Sequence, residues 1–153
     1  MASSEIEFKN DLIPAKDELI ELYKSVNWGH ANCPNDLFLA VKNSTTVITA
    51  WYENILIGLG RAISDSTITV YFPDLLIKPE WQGKSIGTKI MNKLLEKYSD
   101  FHNQVLIAED EKARSFYINM GFTNEKFALS IMKPFRNEKI IKIIIYFLIF
   151  EVT

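Results

Sequence analysis

The stretch that decides the fold is Asp74-Leu75-Leu76-Ile77-Lys78-Pro79-Glu80-Trp81-Gln82-Gly83-Lys84-Ser85-Ile86-Gly87-Thr88. It opens on an apolar, strand-like run that Pro79 stops, and Gly83, Ser85 and Gly87 then leave little side chain beside the backbone. From Ile86 the apolar positions Ile90, Met91, Leu94, Leu95 and Tyr98 share one face of a helix that starts near Lys84. A strand, a small-residue loop and a helix start therefore adjoin. Such a junction aims free backbone N–H groups and the positive end of a helix dipole at one spot, which suits a phosphate or pyrophosphate, and Lys84 adds a local charge. An ordinary β-to-α turn has the same composition, so the glycines alone leave both readings open. Gly83-Lys84-Ser85 also imitates the end of an ATP-binding P-loop, but that loop needs a glycine where Lys78 stands.

Upstream, Glu5 to Lys9 reads as a first strand, and after Pro14 the positions Leu19, Ile20, Leu22, Tyr23 and Val26 read as a helix. Val26 to Pro34 breaks that period with Gly, Asn and Pro, and a weaker helix is expected over about Asn35 to Lys42. Val47 to Tyr52 and Ile55 to Arg61 are β-rich runs separated by Glu53-Asn54, a two-residue hairpin signal, and Ser64-Asp65-Ser66 turns into a third run, Thr67 to Ile77. Downstream, Gln104 to Ala108 reads as a short strand, Asp110 as an N-cap, Lys112 to Met120 as a helix stopped by Gly121, and Phe122 to Lys133 as a strand or strand pair. The order β-α-α-β-β-β-α-β-α-β implies one α+β (mixed α/β) domain, with its boundary near residue 135.

Composition bounds the function. The 153 residues are 48% hydrophobic and 24% charged, the balance of a folded globular chain. A net charge of −2 supplies no basic field for nucleic acid or an anionic membrane, so an anion must be held locally. One cysteine, Cys33, cannot close a disulfide within the chain and is expected as a small buried residue; with only two histidines no zinc spacing arises, and no metal is expected. The polar, acidic start Met1 to Asn10 is unlike a secretory signal, and a reducing cytoplasm is the expected compartment.

Two motifs in order resemble those of the GCN5-related N-acetyltransferases (GNAT). Trp81-Gln82-Gly83-Lys84-Ser85-Ile86-Gly87-Thr88 after a strand is similar to that family's acetyl-CoA loop, and Ala113-Arg114-Ser115-Phe116-Tyr117-Ile118-Asn119-Met120-Gly121-Phe122 is similar to its second motif. The resemblance covers roughly residues 5 to 133 and departs at Ser85, where the family usually has a glycine. It implies a mostly antiparallel twisted sheet, splayed where acetyl-CoA lies. The backbone of Leu75, Leu76 and Ile77 would pair with pantetheine, Gln82, Gly83, Lys84, Ser85, Ile86, Gly87 and Thr88 would cradle the pyrophosphate, and Asp110 would contact the coenzyme or serve as a cap. Tyr117 would protonate the departing thiolate. Asp74 or His30 would accept a proton from the amine, directly or through water. Trp28, His30 and Arg61 would line the pocket of an acceptor, a primary amine on a small molecule or alternatively on a protein. A coenzyme-binding sensor without catalysis is the competing class.

Beyond that match, Ile140 to Phe150 is apolar except for Lys142 and Tyr146, too short to span a bilayer, and rich in β-branched and aromatic residues. A buried strand is expected, paired with the chain's own sheet or with a second copy in a homodimer.

Overall fold

The computed structural model describes residues 5–124. The strand pair expected beyond Phe122, the boundary near residue 135 and the apolar tail lie outside them. β1 (Glu7–Asn10), α1 (Lys16–Ser25), α2 (Pro34–Lys42), β2 (Thr46–Tyr52), β3 (Ile55–Ser64), β4 (Thr69–Ile77), α3 (Ile86–Lys97), β5 (Asn103–Val105) and α4 (Glu111–Asn119) follow in that order. They form a five-stranded sheet in sequence order, antiparallel from β1 to β4 and parallel between β4 and β5. This is the α+β arrangement expected.

Local chemistry accounts for the elements. Glu53 and Asn54 both take positive φ, 47° and 64°, as the tight β2–β3 turn requires. The Glu18 carboxylate accepts the Ala15 amide at 2.8 Å and so ties down the start of α1, while Asp110 Oδ1 accepts the Ala113 amide at 2.7 Å and caps α4. Three details depart from expectation. Gly29–Asn32 forms a 3-10 turn ahead of α2, β5 ends at Val105 rather than Ala108, and Cys33 is exposed. Cys33 occupies the joint between the 3-10 turn and α2, off the stripe that buries Ala31, Leu37 and Val41.

The sheet buries both faces. α3 covers one, where Ile86, Ile90, Met91 and Leu94 meet Ile48, Ala50, Ile57 and Val70; α1 and α2 cover the other, where Leu19, Leu22 and Val41 meet Val47, Leu56 and Leu59. Gly60 permits the close approach of α3, because a Cβ there would stand 2.5 Å from Ile90 Cγ2. Pairing of β3 with β4 steps from Arg61↔Asp74 to Ile63↔Tyr71, two residues against three, so β4 carries a bulge at Phe72-Pro73. Pro73 has no N–H to give a ladder, which makes this its natural seat. The bulge reverses the alternation: Val70 and Phe72 face α3, whereas beyond it Leu76 faces α1, with Asp74 bonded to Tyr23 of α1. Among the described residues no helix is long and apolar enough to cross a membrane.

Candidate active site

β4 and β5 stay paired only from Thr69↔Asn103 to Tyr71↔Val105. Past Tyr71 that edge of β4 has no strand partner among the described residues, and a cleft of about 580 Å³ opens there. Leu75, Leu76 and Ile77 form one wall, the loop from Trp81 to Thr88 and the start of α3 its floor, Glu109 to Tyr117 the opposite wall, and Val26 and Trp28 a rim.

The floor is made of backbone. Gln82 N–H donates to Pro79 C=O at 3.2 Å and Lys89 N–H to Ser85 C=O at 3.0 Å, but the six amides between them, Gly83 to Thr88, find no acceptor among the described residues. Gly83 (φ 74°) and Ser85 (φ 62°) are both left-handed, which turns successive N–H groups inward, and no side chain caps α3. This row at the positive end of a 12-residue helix fits a pyrophosphate. Gly87 leaves the space open, since a Cβ there would meet only ordinary contacts at 3.7 to 4.0 Å. The Gln82 side chain works for the loop itself, its Nε2 donating to Ile77 C=O at 3.0 Å.

Tyr117 lies across from β4, edge-on to Phe116 and Phe122 with ring centroids 5.1 and 5.8 Å away. Its hydroxyl has no hydrogen-bond partner among the described residues. Burial, with the charges of Glu109 and Asp74 adding to it, pushes the Tyr117 phenol up to about 12, so it holds its proton at neutral pH. Asp74 is buried on the other face of β4, where Oδ2 accepts from Tyr23 Oη at 2.7 Å and from Arg61 Nε. Burial first, then the Asp74 charge and hydrogen bond, raise Tyr23 far above the usual phenol range. Arg61 Nη1 reaches Ser44 Oγ at 3.3 Å.

Of the residues expected at the site, Leu75, Leu76, Ile77, Gln82, Gly83, Ser85, Ile86, Gly87, Thr88, Asp110, Tyr117 and Trp28 line the one cleft. Lys84, Asp74, His30 and Arg61 do not. Lys84 rests its ammonium 4.6 Å over the Trp81 ring, which in turn packs at a tilt of 46° against Tyr52, 4.7 Å between centroids. His30 is exposed and packs edge-on against Tyr23 and Trp28, 6.4 and 6.5 Å between centroids. Sequence reasoning missed Glu109, Lys112 and Phe116 in the cleft wall. The cap at Asp110 is a signal that places the residues flanking a helix start, and it was available for Glu109.

A sheet that splays above an amide-lined helix start defines the acetyltransferase class of α+β domain. Residues 28–128, more than half of the chain, match the acetyltransferase (GNAT) domain family. The chain belongs to the GNAT acetyltransferase family. An uncharacterized N-acetyltransferase, ycf52, of Gracilaria tenuistipitata var. liui is 29% identical over 114 residues, which are 71% of this chain and 62% of that protein. The match thus spans under two thirds of that relative. A GNAT family acetyltransferase of Streptococcus pneumoniae TIGR4 superposes with a TM-score of 0.75 at 25% identity, covering 87% of this chain and 100% of the other. An aminoglycoside N-acetyltransferase solved in complex with CoA superposes with a TM-score of 0.65 at 12% identity, over 88% and 97% of the two chains, a likeness of fold.

Proposed function

We propose that the chain is an N-acetyltransferase that uses acetyl-CoA to acetylate a primary amine on a small molecule, by direct attack and without a covalent enzyme intermediate. The observation that carries this reading is the row of unpartnered amides from Gly83 to Thr88 at the foot of the open edge of β4. When bound, acetyl-CoA supplies an anionic pyrophosphate and an acetyl thioester. Gln82 to Thr88 would hold the pyrophosphate, with Lys84 adding charge from the same loop. The exposed backbone of Leu75 to Ile77 would bind the pantetheine arm, and Asp110 would bound it from the start of α4. Tyr117 keeps a proton to give to a leaving thiolate. Trp28, with His30 packed against it, would border the acceptor. Asp74 would accept the amine's proton only through water, since Tyr23 and Arg61 hold its carboxylate on the other face of β4.

The test is thiol release from acetyl-CoA across a panel of amines, beside calorimetric binding of CoA. Release with at least one amine supports the reading. CoA binding with no release from small amines or amine-bearing peptides would replace it with a coenzyme-binding module, and no CoA binding would overturn it.

A further inference from the structure

Two carboxylates, Asp110 and Glu109, line the cleft wall that holds Tyr117 and a third, Asp74, lies on the other face of β4; two of the three are already used. Asp110 Oδ1 accepts the Ala113 amide, and Asp74 Oδ2 accepts from Tyr23 and Arg61. Glu109 is different. It lines the cleft, is exposed to it, and has neither an ion-pair nor a hydrogen-bond partner among the described residues, whereas its neighbour Glu111 is paired with Arg114 at 3.1 Å. Lys112 lines the same wall without pairing with it.

We propose that Glu109 is the specificity-determining residue of the acceptor site, receiving the ammonium group of a small cationic amine such as a diamine. The proposal rests on the acetyl-transfer reading. The cleft has two electrostatic ends. Free amides and the α3 dipole make the floor attract anions. At the Tyr117 wall the unpaired carboxylate favours a cation, and after burial its charge contributes more than that of Asp74 to the rise of the Tyr117 phenol. Trp28 on the rim is an aromatic neighbour that suits the same kind of ligand. A carboxylate-bearing amine would meet Glu109 as a like charge, so the site discriminates by repulsion as well as attraction.

Two probes of equal length separate these outcomes, 1,4-diaminobutane and 4-aminobutanoate, which share a primary amine and differ in the charge at the far end. Each is titrated into the protein without acetyl-CoA by calorimetry, and KM and kcat are then measured with it. The wild type is expected to bind the diamine at least tenfold tighter. Glu109→Gln should erase most of that preference through KM while CoA affinity changes less than twofold, and Glu109→Lys should invert the preference. Equal preference in wild type and Glu109→Gln, absence of diamine binding to the wild type, or a loss confined to CoA affinity would each overturn the assignment. Diamine binding that depends on Glu109 without any thiol release would leave the cation site standing and remove the acetyl-transfer reading instead.

Discussion

Replacing Ser85 by glycine should stabilise the protein without touching its ligand-binding atoms. Ser85 is the N-cap of α3 at φ 62° and ψ 15°, and its side chain makes no capping bond. A left-handed residue with a Cβ costs about 1 to 2 kcal/mol. The extra freedom of glycine in the unfolded chain returns roughly 0.5 to 1 kcal/mol of that. The net expectation is a gain of about 0.5 to 1 kcal/mol, and at about 2 to 4 °C per kcal/mol for a chain this long Tm should rise by roughly 1 to 4 °C. Urea unfolding followed by circular dichroism, with Ser85→Ala as control, measures it. Alanine keeps the Cβ and the strain, so it should stay within about 0.5 kcal/mol of wild type. CoA affinity should hold or improve in the glycine variant, because the donors are main-chain. A gain in Ser85→Ala equal to that in Ser85→Gly, or a loss in the glycine variant, would refute the strain argument.

Tyr117→Phe should leave CoA affinity unchanged and lower kcat at least tenfold, read by calorimetry and thiol release. Because the Tyr117 phenol is raised in the folded state, its share of stability is complete below about pH 10 and lost as pH climbs to about 12. Alkaline denaturation should therefore be less steep in the Phe variant. Asp74→Asn leaves the half-buried Arg61 without its charge partner and should cost about 2 to 3 kcal/mol in urea unfolding; a double-mutant cycle with Arg61→Gln tests the coupling. Gly87→Glu should weaken CoA binding at least tenfold by aiming a carboxylate into the amide cradle, while Gly87→Ala, whose Cβ meets only ordinary contacts, should keep the fold.

Local chemistry was legible in the sequence and distant pairing was not. The Glu53-Asn54 turn, the cap at Asp110 and the helical face from Ile86 to Tyr98 depend on neighbours a few residues away, so their composition announces them. The amide cradle was foreseeable for the same reason, since a strand stop followed by small residues and a helix start forms it. The role of Asp74 was not foreseeable, because its partners Tyr23 and Arg61 lie 51 and 13 residues away and only sheet closure and α1 packing bring them together. Cys33 was misjudged because its apolar character says nothing about which side of a 3-10 joint it occupies.

The extra residue at Phe72-Pro73 gives β4 two halves of opposite phase. One strand can therefore set Leu75 and Ile77 toward the cleft and α3 while sending Asp74 to the network behind. A screen of single-codon deletions would expose this division. Removing Pro73 would restore unbroken alternation and exchange the faces of everything on one side of the cut, so it should be lost from a library of folded variants even though Pro73 is only half-buried and brings no polar side chain to the cleft it lines.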